Sequence, residues 1–386
     1  MVYSRRNAAV CEDALGESMS SWDDGDILLT GATGLVGAEL LPRLLRAAPR
    51  STVHCLVRAR DAEALERRRA ALLARASIAP DVATRVRAVA GDTCEADLGF
   101  GAARAALVGR VRSVVHAAAS TRFDLTLEEA RRTNVEGAVH VLAFVRDAGA
   151  RLHHVSTAFV AGERSGVLRV RDAESPPGFH NSYEQSKHEA EARVRGARDV
   201  RTTVYRPSII VGDSRTGATP HFRVLYEPFK WVIYGKTSVL PCRPEVRLDV
   251  VPVDYVCDAI VALGGAAASA GAVYHLSAGP ERSSSIEELV ARAEPIVNGW
   301  LAARGEPRVQ VPRIVSPEDA TADQAQLFAL GAEVMRTHVP YMLAEVVFDD
   351  EETRAALAGT ALACPPLRAY LDRLLEYALE RRFGAA

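Results

Sequence analysis

The sequence lacks long hydrophobic runs, paired cysteines and any excess of one charge, and each absence narrows the class of protein. No apolar run reaches the length of a membrane-spanning helix, and the N-terminal stretch has no hydrophobic core of a signal peptide. The 47 Lys and Arg residues stand against 49 Asp and Glu residues, a net charge of −2, which argues against a general nucleic-acid binder. The 386 residues, 48% hydrophobic and 25% charged, have the balance of a globular protein.

Cysteine and histidine are present but scattered. The six cysteines form no Cys-x-x-Cys pair, and the ten histidines form no ligand cluster. Scattered thiols without an export signal indicate a reducing, cytoplasmic location and neither a disulfide framework nor a zinc site. The adjacent His153 and His154 enter or flank a strand, so we expect them to point to opposite faces of a sheet. The polar residues 1–25 are predicted to be a flexible leader.

From residue 26 the chain alternates between short apolar runs and longer amphipathic segments. The runs predicted as strands are 27–30, 52–57, 86–90, 113–117, 152–157, 202–206, 250–253 and 273–276. The predicted helices are 35–46, 61–76, 127–148, 182–195 and 255–263. This alternation is typical of an α/β fold with a doubly wound parallel sheet covered on both faces.

The alternation of strands and helices breaks in two places, and these breaks divide the chain into two predicted units. Residues 213–246 are rich in aromatics, and the chain after residue 278 reads as mostly helical with proline breaks. We therefore predict a dinucleotide-binding domain over 26–212 and 247–277. A smaller, mostly helical substrate-binding subdomain is predicted over 213–246 and 278–386.

Three glycines follow the first predicted strand in the spacing G-x-x-G-x-x-G. Gly31 permits a tight turn, Gly34 lets the backbone approach a pyrophosphate, and Gly37 allows the next helix to pack closely on the sheet. The free N–H groups and positive dipole end of that helix favour phosphate binding. The residues predicted to form this Rossmann-type loop are Thr30, Gly31, Thr33, Gly34, Leu35, Val36 and Gly37.

The end of the second strand favours NADP(H) over NAD(H). An acid at this point hydrogen-bonds a ribose hydroxyl, whereas an arginine accommodates the 2′-phosphate. Here Arg58 and Arg60 precede the first acid, Asp61. Arg60 could equally belong to the solvated basic helix that contains Arg67, Arg68 and Arg69. Asp92, after the third strand, is placed to reach the adenine amine.

Tyr183 and Lys187 lie four residues apart on a predicted helix, so both leave one face, one turn apart. Reduction of a carbonyl builds negative charge on oxygen, which needs a proton and hydrogen-bond donors. Tyr183 would supply the proton if the Lys187 ammonium lowers its pKa. Thr157 is the second donor, with Ser156 as the alternative. Asn134 either relays protons or holds its helix in place.

These residues, in this order, resemble the extended short-chain dehydrogenase/reductase superfamily, from about Asp26 to Leu276. The resemblance rests on the glycine loop, the strand end at 116–119, Asn134, Ser156-Thr157, Tyr183/Lys187 and Arg206-Pro207-Ser208. Within the superfamily, the segments 29–37, 53–59, 155–158 and 206–212 are similar to the thioester reductase and fatty acyl-CoA reductase branch.

The resemblance implies an enzyme that uses NADPH to reduce an acyl thioester, on coenzyme A or a carrier protein, to an aldehyde or onward to an alcohol. Thr157, Tyr183 and Lys187 would be its catalytic triad. The residues it implies around the nicotinamide ribose and ring are Ala117, Ala118, Ala119, Pro207 and Ser208. The aromatic segment 222–234 would form a groove for the acyl chain or pack as ordinary core. Arg67–Arg69 would meet a carrier, a coenzyme phosphate or solvent.

Three other functions remain open at this point. A reductase or dehydrogenase of a simple ketone or alcohol would use the same triad. A nucleotide-sugar epimerase or dehydratase commonly retains NAD, which Arg58 disfavours. A redox-sensing protein without catalysis would not need an intact triad. The acyl chain, its carrier, the number of hydrides and the oligomeric state do not follow from the sequence.

Overall fold

The computed structural model describes residues 21–234, 239–310, 312–319, 321 and 339–384. Its strands are β1 (Asp26–Thr30), β2 (Val53–Val57), β3 (Val86–Ala90), β4 (Val111–His116), β5 (Arg151–Val155), β6 (Gly166–Leu168), β7 (Thr202–Pro207), β8 (Ile209–Val211), β9 (Val239–Pro241), β10 (Arg247–Leu248), β11 (Val250–Pro252), β12 (Val273–Leu276), β13 (Ser284–Ser285), β14 (Arg313–Val315) and β15 (Val346–Phe348).

The helices of the same ranges are α1 (Leu35–Ala47), α2 (Ala62–Arg75), α3 (Pro80–Ala83), α4 (Arg104–Arg110), α5 (Leu127–Arg131), α6 (Gly137–Ala148), α7 (Ser182–Gly196), α8 (Tyr226–Ile233), α9 (Val253–Gly265), α10 (Ile286–Ala302), α11 (Val339–Leu343), α12 (Glu351–Ala356) and α13 (Leu371–Glu380). A π-helical turn, Arg132–Glu136, joins α5 to α6.

A seven-stranded parallel sheet forms the centre of the described chain. Its strand order is β3-β2-β1-β4-β5-β7-β12, and every neighbouring pair is parallel. The order reverses between β1 and β4, which opens a crevice at the carboxyl ends of these two strands. The predicted doubly wound α/β fold, with a further helical region after it, is confirmed.

Helices cover both faces of this sheet because its strands are apolar on both sides. On one face α1 and α9 pack against β1 and β2, around Leu40, Leu44 and Ile260. On the other face α6 and α7 pack against β4 and β5, around Val141 and Ala190. Burial of both faces explains why the strand sequences read as continuous hydrophobic runs rather than as alternating ones.

A separate hydrophobic cluster lies beyond the crevice. It packs α8, α10 and α13 against Val211 of β8 and Val250 of β11. Strand β15 returns to the other half of the molecule, where it pairs in parallel with β6. None of the helices in the described ranges has both the length and the apolar character needed to cross a bilayer.

The predicted leader is corrected at its C-terminal end. Residues 1–20 of that prediction lie outside the described residues. From Ser21, however, the chain forms a short 3₁₀ helix (Ser21–Asp23), and Trp22 is only 1% exposed. The indole nitrogen of Trp22 donates to the carbonyl of Val261 at 2.8 Å, and its ring lies 4.3 Å from that of His153. Trp22 therefore belongs to the core beneath α9.

The adjacent histidines point to opposite faces of the sheet, as expected. The ring of His153 packs against Trp22 and Tyr205, whereas the ring of His154 lies 5.3 Å from that of His116. Both are buried, and in the part of the chain that the structure describes no group of His, Cys, Asp or Glu could hold a metal ion.

Candidate active site

The glycine loop at the end of β1 is shaped by two glycines. Gly31 has φ +72°, and a Cβ there would lie 2.6 Å from the carbonyl carbon of Ala117, so only glycine fits between the ends of β1 and β4. A Cβ on Gly37 would collide with the carbonyl oxygen of Gly31. Because both positions lack side chains, α1 begins directly against the crevice.

The first turn of α1 faces the crevice opening. Thr33 and Gly34 are exposed and Leu35 and Val36 are partly exposed, so this helix N-terminus is accessible to an anion. Arg75 holds the outer side of the loop, donating to the carbonyls of Thr33 at 2.5 Å and Gly34 at 3.3 Å. No motif or spacing pointed to Arg75, which is distant along the chain.

Thr30 plays a different part from the one predicted. It is 0% exposed, and its hydroxyl hydrogen-bonds the ring of His116 at 2.8 Å and accepts from the amide of Ala118 at 3.2 Å. A wholly buried side chain offers no surface to a cofactor. Thr30 instead ties the end of β1 to the end of β4, which fixes the floor of the crevice.

A depression at the ends of β2 and β3 is lined by the residues that were predicted to bind the adenosine part of the cofactor. Its polar and charged lining residues are Arg58, Arg60, Arg67, Arg68, Asp92 and Glu95. Arg58 is 82% exposed and lies 4.0 Å from the carboxylate of Asp92, which also accepts from the amide of Cys94 at 2.9 Å. Four guanidinium groups around one depression suit a phosphate ester.

The Arg67–Arg69 run is split between two roles. Arg67 and Arg68 line the depression, and Arg67 also pairs with Glu63. Arg69 turns to the fold, donating to the carbonyls of Val86 at 3.0 Å and Ala83 at 2.9 Å. The run is therefore neither a uniform solvated face nor a continuous docking surface.

Tyr183, Lys187 and Thr157 meet at the carboxyl end of β5. The hydroxyl of Thr157 hydrogen-bonds the phenol of Tyr183 and lies 3.5 Å from the carbonyl oxygen of Pro207. The amine of Lys187, 2% exposed, donates to the carbonyl of Val155 at 2.8 Å. Helix α7 is capped by Asn181, whose side chain accepts from the amide of Glu184 at 3.0 Å. The cap fixes the helix that carries both groups.

The proton affinities of this pair differ from the expectation. Burial raises the pKa of Tyr183 to about 12, against the hydrogen bond from Thr157, which lowers it. Burial also lowers the pKa of Lys187 to about 8. The expected net lowering of the Tyr183 pKa is not seen in this structure, because burial raises it and the charge of Glu184 raises it further. A phenol that keeps its proton is suited to donate it.

Asn134 joins the crevice floor to the catalytic helix. It lies in the π-helical turn and is 2% exposed. Its side-chain oxygen accepts from the amide of Ser120 at 2.8 Å, and its amide donates to the Ser120 carbonyl at 3.1 Å and the Ser186 hydroxyl at 2.9 Å. These contacts favour the helix-holding interpretation of Asn134. Such π-helical turns are frequent at functional sites.

The residues that the resemblance placed around the nicotinamide border the same crevice. Ala117, Ala118 and Ala119 follow β4 and are partly exposed. Pro207 and Ser208 are buried at the end of β7, and the amide of Ser208 donates to the carbonyl of Leu276 at 3.1 Å. Both segments line up with the glycine loop at one edge of the sheet.

A polar network beside Tyr183 was not predicted. Glu184 is 0% exposed and accepts from the Tyr341 hydroxyl at 2.5 Å and from the backbone amide of His180 at 3.0 Å. The hydrogen bond with Glu184 raises the pKa of His180. The ring of Phe123 lies between Tyr341 and Tyr183, at centroid distances of 5.8 Å and 5.7 Å. Tyr341 is far from α7 in sequence, so no local pattern could reveal it.

An apolar cavity lies between α8, α10 and the end of β8. Ile209 and Tyr341 belong to its wall, and both also border the smaller pocket that contains Phe159 and His180, on the catalytic side. Phe229 lines the cavity, whereas Phe222 packs on Tyr226 with ring centroids 5.4 Å apart. The aromatic segment therefore serves both alternatives, cavity wall and core.

Comparison with known proteins places the chain in a family. Residues 29–260 match the family described as Male sterility protein. The chain is 31% identical over 281 residues to the nonribosomal peptide synthetase FrzA of Cladobotryum sp, covering 68% of this chain and 27% of that protein. It is 32% identical over 280 residues to the aldehyde reductase lnaA of Aspergillus flavus, covering 68% and 26%. The chain thus spans about a quarter of each relative.

A solved structure agrees over nearly the full length. The terminal R domain from the myxalamid PKS-NRPS biosynthetic pathway superposes with a TM-score of 0.76 at 27% identity, covering 93% of this chain and 91% of that one. The fold and these matches define an extended short-chain dehydrogenase/reductase, an NAD(P)-binding reductase. More particularly, the chain belongs to the Male sterility protein family, the thioester reductase branch of that superfamily.

Proposed function

We propose that this protein uses NADPH to reduce an acyl thioester, carried by coenzyme A or by a carrier protein, to an aldehyde and a free thiol. The observation that carries the proposal is the assembly of Thr157, Tyr183 and Lys187 beside the glycine loop, in a chain of the thioester reductase branch. The similarity to a peptide synthetase and to an aldehyde reductase supports a thioester substrate and an aldehyde product.

The residues of the crevice fit a dinucleotide. Gly31 and Gly37 leave space that a Cβ would fill, and the first turn of α1 is open to a pyrophosphate. Arg58, Arg60 and their neighbours in the depression suit the 2′-phosphate that distinguishes NADP from NAD. Lys187 would hydrogen-bond the nicotinamide ribose, and Ala117 to Ala119 with Pro207 and Ser208 would border the ring.

Bound NADPH would supply the hydride that adds to the thioester carbonyl carbon. As that carbon–oxygen double bond becomes single, Tyr183 gives its proton to the oxygen and Thr157 donates a hydrogen bond to it. The Lys187 ammonium favours the phenolate left on Tyr183. Tyr183 then takes the proton back as the carbonyl re-forms and the carbon–sulfur bond breaks, and the thiolate leaves to be protonated by water.

The helical subdomain is proposed to bind the acyl group. Residues 213–246 and 278–386 would hold the acyl group, because α8 and α10 form the walls of the apolar cavity. A second hydride to the aldehyde, giving an alcohol, would use the same triad.

Thiol release is the deciding measurement. We expect NADPH oxidation with an acyl thioester to release one free thiol per aldehyde formed, measured with a thiol reagent and by mass spectrometry. Oxidation of NADPH by simple ketones without any thiol release from thioesters would favour a ketone reductase instead. Purified protein that retains a non-exchanging NAD would favour the epimerase alternative.

A further inference from the structure

We infer that the acyl group this protein reduces is an uncharged, apolar chain, bound in the cavity between α8 and α10. The inference rests on the proposed thioester reductase function and narrows its substrate class. It separates simple acyl chains from the amino-acyl and peptidyl chains that the name of the peptide synthetase relative would suggest.

The cavity starts close to the catalytic group. Ile209, at one end, comes two residues after Pro207, whose carbonyl oxygen lies 3.5 Å from the Thr157 hydroxyl. Tyr341 is the other wall residue on this side, and Phe123 bridges its ring to that of Tyr183. A chain whose carbonyl lies at Tyr183 and Thr157 can therefore extend past Ile209 into the cavity.

The polar side chains in the cavity wall are hydrogen-bonded to other groups of the protein. The Tyr341 hydroxyl donates to Glu184 at 2.5 Å and accepts from Asn181 at 2.8 Å. The side-chain amide of Asn298 accepts from and donates to the backbone of Val309, at 2.9 Å and 3.2 Å. These bonds leave little polar capacity for a ligand.

The charged and remaining polar positions lie at the outer rim. Glu294 and Gln310 are both exposed, and the wall residues that the structure describes are otherwise aliphatic or aromatic, apart from Asn298 and Met342. An ammonium or carboxylate carried deep into this cavity would lose its hydration without gaining a counter-charge, which is strongly unfavourable. The lining therefore selects against charged chains.

Burial in the cavity should favour longer chains until its space is filled. The cavity offers about 100 Å³ of open space and is partly open to solvent. Because an apolar cavity of about 150 Å³ holds a benzene molecule, this one holds roughly four groups of methylene size. Each buried methylene is expected to raise kcat/KM by roughly threefold to fourfold until that point.

The test compares butyryl, octanoyl, palmitoyl, ω-amino-octanoyl and dipeptidyl thioesters, each presented on coenzyme A and on a phosphopantetheinylated carrier protein. We expect kcat/KM, followed by thiol release, to be higher for octanoyl than for butyryl, no higher for palmitoyl than for octanoyl, and at least tenfold lower for ω-amino-octanoyl than for octanoyl. A dipeptidyl or ω-amino-octanoyl thioester turned over as well as octanoyl overturns the inference and leaves the thioester reductase function intact. No thiol release from any thioester overturns both.

A matched pair of variants locates the chain in this cavity. Ala293 is 4% exposed and lines the cavity, so Ala293→Phe should lower the octanoyl to butyryl ratio of kcat/KM at least tenfold. Ala302→Phe makes the same change at an exposed position of the same helix and should leave the ratio unchanged. Val290→Phe, at a second cavity position, covers the case in which Ala293→Phe does not fold. If both cavity variants gave the same octanoyl to butyryl ratio of kcat/KM as Ala302→Phe, the acyl chain would bind elsewhere.

Discussion

The two ends of the cleft are built in opposite ways. The dinucleotide end is polar and open, with Arg58 82% exposed, and its parts follow one another closely along the chain at the ends of β1, β2 and β3. The proposed acyl end is apolar and less open, and its walls come from β8, α8, α10 and α11, which are spread over residues 209–343, about a third of the sequence. In the proposed function, neighbouring stretches of the chain thus hold the phosphates and adenosine of the cofactor, and more distant stretches hold the acyl group.

The contrast explains why one fold can keep its cofactor while changing its substrate. A loop such as 31–37 works through backbone geometry, so a side chain at Gly31 or Gly37 would distort it. The acyl cavity works through shape and apolar surface, so a single side chain can alter its length. Variants at the dinucleotide end should therefore change the kinetics with the cofactor, and variants at the acyl end should change how kcat/KM depends on acyl-chain length. Tyr183 and Lys187 lie where the two ends meet, so variants of these residues should change both.

Tyr183→Phe should give the largest effect, because it removes the proton donor shared by both ends. We expect kcat to fall by about 10²- to 10⁴-fold, with NADPH affinity little changed. Measurement of turnover and of NADPH binding by fluorescence titration checks this. Tyr234→Phe is the matched control, since the Tyr234 hydroxyl lies at an exposed position and donates to the carbonyl of Arg382 at 3.1 Å. Unchanged turnover in Tyr183→Phe would remove the phenol from the mechanism.

The pH dependence of kcat/KM should test the role of Lys187. Its ammonium is the protonated form, so it is lost as pH rises through its pKa of about 8, whereas Tyr183, with a pKa of about 12, stays protonated there. We expect kcat/KM to fall about tenfold per pH unit above pH 8. NADPH binding and circular dichroism at the same pH values separate this loss from unfolding. An alkaline limb near pH 10.5 would show that burial does not control this amine.

Arg58→Ala should affect the dinucleotide end alone. Loss of one charge-assisted contact to a phosphate corresponds to about a tenfold decrease in kcat/KM for NADPH. NADH, without the 2′-phosphate, should be used as before, and the acyl-chain profile should not change. Arg198→Ala, at another exposed position, is the control. Equal losses with both cofactors would contradict a 2′-phosphate role for Arg58.

Arg75→Ala should have the smallest effect and no cofactor preference. Because Arg75 holds the carbonyls of Thr33 and Gly34, its loss should loosen the loop that faces the pyrophosphate. We expect KM to rise roughly threefold to tenfold for NADPH and for NADH alike. A rise confined to NADPH would mean that Arg75 reads the 2′-phosphate. Arg198→Ala again serves as the comparison.

The sequence was most informative where structure is local. The strand–glycine loop–helix unit at 27–46 and the helix from Ser182 are found where the periodicity predicts them, because turn chemistry and burial act on neighbouring residues. The short strands β6 and β15 were missed, since each pairs only with the other across a long separation. The cavity and Tyr341 were missed for the same reason.

Burial of the individual side chains, and therefore their pKa values, could not be predicted from the sequence. The spacing of Tyr183 and Lys187 predicts their proximity but not the desolvation of either group. Burial decides both pKa directions, and burial depends on packing from β5, α7 and distant segments. Thr30 shows the same limit, because its position suggested cofactor contact while packing made it part of the floor.

The pairing of β15 with β6 has a consequence for the order of assembly. Val346–Phe348 lie beside Gly166–Leu168, and the amide of Phe348 donates to the buried carboxylate of Asp249 at 3.1 Å. Synthesis proceeds from the N-terminus, so the ribosome delivers every strand of the central sheet before it delivers β15. The central sheet and its crevice can therefore form before β15 has been synthesised, and the contacts that join Val346–Phe348 to β6 and Asp249 are made afterwards.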